Sequence, residues 1–170
     1  RPFAVSLDTQ LANLQRLPAA LAPYAVVRRM NLLDASGRHA EALAAGREAL
    51  KSFPGMPIAL AVAERQVAAG DRDGAVWVMR DAAELTDASP QNWALLREAA
   101  MFLDKERRGA EAVDIFRRLL DADSIPAAAR RSWLEDARMV ALRAGDSGQA
   151  AQWSEELGRI SGPASKGPGS

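Results

Sequence analysis

The sequence contains few side chains that could carry out chemistry. Its one histidine, His39, lies in the segment Gly37-Arg38-His39, and there is no cysteine anywhere in the chain. Acid–base and nucleophilic catalysis need an activating partner within hydrogen-bond distance, and a metal ion needs several ligands. A lone histidine supplies neither, so we expect His39 to be a surface or packing residue.

Two acidic segments are weakly similar to calcium-binding loops. Asp71 and Asp73 precede Gly74, and Asp121 and Asp123 form a second such segment. Both lack the further ligands and the closing glutamate of a 12-residue calcium loop. Carboxylates at helix ends interact favourably with exposed backbone amides, and we interpret both segments in that way.

The sequence also lacks the glycine-rich phosphate loop, the dinucleotide fingerprint and the nucleophile elbow. The adjacent pair Glu155-Glu156 points to different parts of a helix surface and does not form an acid–base pair. We therefore expect no catalytic residue, no metal site and no cofactor.

Charge and hydropathy exclude two classes of partner. The 22 basic and 22 acidic residues give a net charge of zero, and they are spread evenly over the chain. Nucleic-acid-binding proteins concentrate positive charge to neutralise phosphates, so we expect no nucleic-acid partner. No stretch approaches the ~18–20 apolar residues that cross a bilayer, which argues against direct membrane insertion. The compartment stays open, because a chain without cysteine suits the bacterial periplasm and the cytoplasm equally.

The composition predicts an all-α fold. Alanine supplies 36 of the 170 residues. Alanine has the highest helix propensity, and its small side chain lets helices approach closely.

A fourfold internal repeat indicates how those helices are arranged. Four segments share a skeleton of positions, most of them small or turn-forming residues, at successive steps of five, seven and five residues. The four sets are Gly37, Ala42, Ala49, Pro54; Gly70, Ala75, Ala82, Asp87; Arg107, Ala112, Leu119, Ser124; and Gly145, Ala150, Leu157, Gly162. A glycine in the left-handed conformation ends a helix, and a small residue five positions later lets a second helix pack closely. The repeat therefore predicts four helical hairpins.

The predicted helices follow from this repeat and from the proline and glycine breaks between the hairpins. A lead-in helix is expected at Leu7–Leu17, ended by Pro18. The expected pairs are Tyr24–Ala35 with Ala40–Ser52, Pro57–Ala69 with Asp73–Leu85, Gln91–Asp104 with Ala110–Asp121, and Ala127–Arg143 with Gly148–Ile160. We expect residues 1–22 to be an N-terminal helix and linker, 23–161 a helical repeat domain, and 162–170 a flexible tail.

The repeat resembles the tetratricopeptide repeat (TPR) family over residues 24–162. The matching segments are Gly37-Arg38-His39-Ala40-Glu41-Ala42, Gly70-Asp71-Arg72-Asp73-Gly74-Ala75, Gly109-Ala110-Glu111-Ala112-Val113 and Gly145-Asp146-Ser147-Gly148-Gln149-Ala150. The third hairpin departs from the pattern because Arg107 replaces the turn glycine. In the second, Gln66 stands where the family has a bulky packing residue. The resemblance implies an α-solenoid of about four stacked antiparallel helix pairs.

Stacked hairpins of this kind line a concave groove with their first helices, and a stripe at i, i+4, i+7 on each helix faces it. The corresponding residues, our candidate partner-binding groove, are Val27, Asn31, Asp34, Leu60, Glu64, Val67, Arg97, Met101, Asp104, Glu135 and Met139, with Leu142 beside them. The mixture of apolar residues and both charge signs suits a peptide or helix of another protein. The expected function is a non-catalytic scaffold or adaptor that helps to assemble a complex. The Arg-rich, Lys-poor composition indicates a bacterial source.

Two alternatives stay open. The chain could be the helical adaptor region of a larger enzyme, such as an envelope protease or a polysaccharide machine. It could also be a structural subunit that self-associates through its end hairpins. For the second alternative, Trp153, Leu157 and Ile160 form an apolar strip on the last helix. That strip either folds onto the fourth hairpin or is left for a partner.

Overall fold

A computed structural model describes residues 5–161 of the chain. Within that range the protein is all-α, and consecutive helices pack against one another in adjacent pairs. The predicted all-α, repeat-like fold is confirmed. The helices are α1 (Leu7–Leu14), α2 (Ala22–Ala35), α3 (His39–Ser52), α4 (Ile58–Ala68), α5 (Arg72–Leu85), α6 (Trp93–Lys105), α7 (Gly109–Leu120), α8 (Ala127–Arg143) and α9 (Ser147–Ile160).

The helix bounds agree with the sequence prediction to within a few residues. The largest difference is in α1, which ends at Leu14 instead of Leu17. Residues 15–17 continue as a tighter turn whose N–H groups bond to carbonyls three residues back, at 3.2–3.3 Å. The reason is Pro18, which disfavours the α conformation in the residue before it. The tail predicted at 162–170 lies outside the described residues.

The helices form two compact units, whose described parts are residues 5–87 and 88–161. The first unit contains α1 and the pairs α2–α3 and α4–α5, and the second contains the pairs α6–α7 and α8–α9. We refer to α2, α4, α6 and α8 as the first helices of their pairs. In each unit the two first helices are in contact with one another.

The alanines of the repeat lie in the cores of both units. Ala42, Ala75, Ala112 and Ala150 are all buried. In the first unit Met30, Leu33 and Val62 pack around Ala42. In the second unit the largest fully buried side chain is Phe116. Each hairpin therefore closes over a small residue at the position that the repeat predicts.

The turns inside the four pairs share one hydrogen-bond pattern. The backbone N–H of residues 37, 70, 107 and 145 donates to the carbonyl three residues earlier, at 2.9–3.1 Å. The next N–H donates to the carbonyl five residues earlier, at 2.8–2.9 Å. This pair of bonds is the Schellman motif, which requires a left-handed residue at the turn. Gly37, Gly70 and Gly145 have φ of 76°, 87° and 76°, and Arg107 has φ of 63°.

Arg107 is the exception, because it holds this left-handed conformation with a side chain attached. The Cβ atom makes the conformation unfavourable by about 1–2 kcal/mol. Glycine avoids this cost, but it gains less than the full amount because it loses more backbone entropy on folding. We expect Arg107→Gly to raise the free energy of unfolding by about 0.5–1 kcal/mol, measured by urea denaturation. The reverse change at an equivalent turn, Gly70→Arg, should lower it by a similar amount. A less stable Arg107→Gly variant would contradict this account of the turn.

The two units correspond to one another at a spacing of 70 residues. Leu33, Asp34, Arg38, Ala42 and Arg47 recur as the same residue types at 103, 104, 108, 112 and 117. Arg47 and Arg117 also form similar ion pairs, with aspartates that lie 75 residues apart in the sequence. Arg47 Nη2 lies 3.6 Å from Asp71 Oδ2, and Arg117 Nη2 lies 3.1 Å from Asp146 Oδ2.

The carboxylates of these pairs also cap helices. Asp71 accepts a hydrogen bond from the Gly74 N–H at the start of α5, and Asp146 accepts one from the Gln149 N–H at the start of α9. The interpretation of Asp71 as a helix-end carboxylate is confirmed.

Candidate functional site

The structure places the predicted groove residues on the first helices, as the repeat indicated, but in two separate units. Val27, Asn31 and Asp34 lie on α2, with Leu60, Glu64 and Val67 on α4, in the first unit. Arg97, Met101 and Asp104 lie on α6, with Glu135 and Met139 on α8, in the second unit. The candidate site is therefore described as two faces, one formed by α2 and α4 and the other by α6 and α8.

The α2/α4 face is held together by an arginine that sequence reasoning did not identify. Arg65 Nε donates to Asp34 Oδ2 at 2.6 Å, and Arg65 Nη2 donates to Asn31 Oδ1 at 2.8 Å. The remaining terminal nitrogen, Nη1, donates to the Ala61 carbonyl at 2.8 Å. Two of the predicted groove residues, Asn31 and Asp34, thus join α2 to α4.

The apolar members of this face are largely covered. Val27, Leu60 and Val67 are half-buried, and Glu64 is exposed. His39 is exposed at the start of α3, and its Nδ1 lies 3.0 Å from Asp34 Oδ1. Asp34 therefore has a partner on each of its two oxygens.

These contacts change the acidity of Asp34. Burial by itself raises the pKa of Asp34, but the hydrogen bonds from His39 and Arg65 outweigh it and hold the pKa below its ordinary value of 3.8. A carboxylate whose pKa is lower in the folded state stabilises the fold above its unfolded pKa. This contribution is lost as the pH falls through the folded pKa.

We expect Asp34→Asn to lower the free energy of unfolding by about 1–2 kcal/mol at pH 7, because the Arg65 guanidinium loses its charged acceptor. The difference between the native chain and the variant should shrink as the pH falls below 3.8. Urea denaturation at a series of pH values measures both effects. An exposed carboxylate on α5 serves as the control, and Asp81→Asn should change little. A difference that does not depend on pH would contradict the proposed role of the charge.

The α6/α8 face is joined at two levels by ion pairs. Arg97 Nε and Nη2 on α6 donate to Asp136 Oδ2 on α8, at 2.8 and 2.6 Å. Seven residues further along both helices, Arg143 Nη2 on α8 donates to Asp104 Oδ2 on α6 at 2.8 Å. Seven residues are two helical turns, so the two ion pairs are about 10 Å apart along the face.

An exposed apolar surface lies between and beside these ion pairs. Met101 on α6 is half-buried, whereas Met139 and Leu142 on α8 are 43% and 54% exposed. We call Met101, Met139 and Leu142 the apolar strip. The remaining predicted groove residue, Glu135, is exposed. Its Oε1 lies 3.5 Å from Nε of Arg131 on the same helix. Exposed apolar side chains bordered by ordered charges are typical of a surface that another molecule covers.

The sequence pattern did not predict Arg65, Asp136 and Arg143, which hold the predicted residues in place. Each is opposite in charge to a groove residue 31 or 39 positions earlier. A search for complementary charges about one repeat apart on first helices would have detected them. The hydrophobic pattern could not, because these side chains cross between helices.

The structure separates the three residues of the predicted end surface. Trp153 is buried in the second unit, Leu157 is half-buried, and Ile160 is 43% exposed. Trp93 and Trp133 are also packed in this unit, with their rings perpendicular and their centroids 5.2 Å apart. The end surface predicted on the last helix is thus partly packed into its own unit.

A surface cleft occurs at corresponding positions of each unit, beside the turn of the first hairpin. In the first unit it measures about 550 Å³ and is bordered by Asp34, His39, Leu43 and Arg65. In the second unit it measures about 450 Å³ and is bordered by Asp104, Arg107, Gly109 and Arg143. The 70-residue correspondence brings Asp34 and Asp104 to equivalent places in these clefts.

Neither a candidate metal site nor a candidate membrane span occurs in the part of the chain that the structure describes. Among residues 5–161, no group of histidine, aspartate or glutamate side chains is arranged to hold a metal ion. No helix of that range has both the length and the apolar character needed to cross a membrane.

Comparison with known proteins assigns the chain to no family. No protein-family model matches the sequence. No curated protein matches it with significant similarity.

Proposed function

We propose that this chain is a non-catalytic scaffold or adaptor similar to the TPR repeat proteins, and that it binds a peptide or helix of a partner protein on a first-helix face. The setting that we propose is a bacterial multi-protein assembly. The observation that carries the proposal is the apolar strip, in which Met139 and Leu142 are about half exposed on α8.

The strip has the physical properties of a binding surface. Burying exposed methionine and leucine side chains contributes favourable free energy, at roughly 25 cal/mol per Å² of apolar surface. Methionine is unbranched and flexible, and it adapts to differently shaped side chains. The partner would not need to supply opposite charges for Arg97 and Asp104, because each already has an ion-pair partner on α8.

The ion pairs contribute order to this surface. Each one connects α6 to α8, so the strip is presented by two helices whose mutual position is fixed at two levels. A preorganised surface loses less conformational entropy on binding than a mobile one. On the α2/α4 face, the predicted apolar residues Val27, Leu60 and Val67 are less exposed than Met139 and Leu142. We therefore assign the main contact to the second unit.

The test is a single exposed substitution on the strip. Met139→Lys keeps a good helix former on α8 and removes the apolar contact. The variant and the native chain are used to capture proteins from the native host, and bound proteins are quantified by mass spectrometry. We expect a specific set of proteins to be lost with Met139→Lys while the circular dichroism stays unchanged. Arg97 is a poorer choice, because its removal also breaks the bond to Asp136.

The matched control is Ile160→Lys on α9, because Ile160 has the same exposed fraction as Met139. Capture that survives Ile160→Lys and is lost with Met139→Lys supports the proposal. The opposite result would assign binding to the end of the second unit instead. Equal capture by all three chains would refute binding through the α6/α8 face.

A further inference from the structure

The cleft of the second unit adjoins the apolar strip and carries surplus positive charge. Arg143, which borders the cleft, lies one helical turn after Met139 of the strip, so the two surfaces adjoin on one face of α8. The other side of the cleft carries Arg107, and its remaining lining residues are small, apart from Asp104. Two guanidinium groups and one carboxylate therefore face the same space.

The single carboxylate does not neutralise both arginines. Asp104 is only 12% exposed and already accepts hydrogen bonds from Arg143. Arg143 is still 49% exposed beyond that contact. The Arg107 guanidinium makes no hydrogen bond or ion pair with any residue in the range 5–161. The cleft thus contains Arg107, which has no ion-pair partner among residues 5–161, next to Arg143, which is still about half exposed.

The corresponding cleft of the first unit lacks this surplus. Its arginine, Arg65, is mostly buried and donates from all three nitrogens to Asp34, Asn31 and the Ala61 carbonyl. The position equivalent to Arg107 is Gly37, which has no charge. Of the two clefts, only that of the second unit therefore has this surplus of positive charge, and it lies beside the exposed Met139 and Leu142.

We propose that the occupant of the α6/α8 face is an amphipathic segment of another protein in which two or three apolar side chains are followed by an acidic residue. The apolar side chains cover Met101, Met139 and Leu142, and the carboxylate enters the cleft beside Arg107 and Arg143. This inference rests on the proposed function and adds the chemistry of the partner to it.

The geometry also limits the spacing within the partner. Met139 and Arg143 are one helical turn apart, about 6 Å along α8. The acidic residue should therefore lie within about four residues of the last apolar residue if the segment is helical. A guanidinium and a carboxylate form a strong charge-assisted hydrogen bond, whereas a basic segment would be repelled at this end of the strip.

The experiment uses peptide selection followed by affinity measurement. Short peptides are selected from a random displayed library against the full chain, and the best binder is labelled for fluorescence anisotropy. We expect the selected sequences to be enriched in aspartate and glutamate close to an apolar cluster. Changing those acidic residues to their amides should weaken binding by about tenfold, as the loss of one charge-assisted contact does.

Arg107→Gly is the decisive variant on the protein side, because glycine suits the left-handed turn and the fold is retained. It should weaken binding of the acidic peptide by about tenfold and leave the amide form of the peptide unaffected. The matched control is Arg28→Ala, which removes one exposed positive charge from the first unit and should leave both affinities unchanged.

The outcomes separate this inference from the proposed function. Peptide binding that depends on Met139 but not on the acidic residues or Arg107 refutes the acidic partner and leaves the scaffold function standing. Binding unaffected by Met139→Lys, or a library that yields no binder, overturns both. A concentration-dependent dimer that Met139→Lys abolishes would show that a second copy of the chain is the occupant, and that result also overturns the inference.

Discussion

Phe116→Ala is expected to lower the free energy of unfolding of the second unit by about 3–5 kcal/mol, the usual cost of removing a buried phenylalanine side chain. Phe116 lies on α7, is fully buried and is the largest of the fully buried side chains. Its loss leaves a cavity in the core of the second unit. A domain of this size is stable by only about 5–15 kcal/mol, so the change removes a large share of the total.

Tryptophan fluorescence during urea denaturation measures this effect in the right part of the chain. Three of the four tryptophans, Trp93, Trp133 and Trp153, belong to the second unit. Leu142→Ala is the matched control, because Leu142 lies in the same unit but is more than half exposed. It should change the free energy of unfolding by no more than about 0.5 kcal/mol. Equal losses for the two variants would contradict the packing assigned to Phe116.

Gly46→Leu is expected to destabilise the first unit by about 3 kcal/mol through overpacking. Gly46 occupies the position on α3 that Phe116 occupies on α7, 70 residues later. A Cβ atom at Gly46 would lie 2.5 Å from Met30 Cε and 2.6 Å from Val62 Cγ2. Met30 is flexible but fully buried, so its side chain has no solvent-filled space to move into, and Val62 is stiff at its first side-chain torsion.

The second unit indicates how this clash can be relieved. In the first unit Met30 is large and Gly46 is small. At the corresponding positions of the second unit, Ala100 is small and Phe116 is large. Adding Met30→Ala to Gly46→Leu should therefore restore most of the lost stability, since cores tolerate changes that conserve volume. The double variant gives a coupling energy by comparison with the two single variants.

A glycine without close neighbours provides the control for Gly46. Gly158 lies on α9, and a Cβ atom there would meet no atom within 4 Å. Gly158→Leu should be neutral or stabilising by up to about 1 kcal/mol, because leucine has the higher helix propensity. Destabilisation by both glycine substitutions, or a double variant no more stable than Gly46→Leu, would show that the clash is not the cause.

Most of the secondary structure could be predicted because it depends on local signals. The helix pairs, their turns and the buried alanines follow from residue types a few positions apart. The turn at Arg107 shows how strong this local pattern is. Without glycine, it still forms the same hydrogen bonds as the turns at Gly37, Gly70 and Gly145.

The candidate site was only partly predictable. The sequence placed Asp34, Arg97 and Asp104 on the correct helices, but it predicted them to face a partner. In the structure these residues bond to Arg65, Asp136 and Arg143 on the neighbouring first helix. The sequence could not decide between the two roles, because a charged side chain on the same helix face can reach either a neighbour or a ligand.

The sequence by itself determined that this chain is helical, where its hairpins turn and which small residues lie at the helix contacts. Only the tertiary structure decided which charges are satisfied within the protein and that Met139 and Leu142 are left exposed. It also decided that Met30 packs against Gly46, where a larger side chain would not fit. The physical reason is that helix and turn formation depend on neighbours within a few residues. Contacts between helices depend instead on the axial register of segments 30 to 40 residues apart, where each residue of shift moves a side chain by about 1.5 Å.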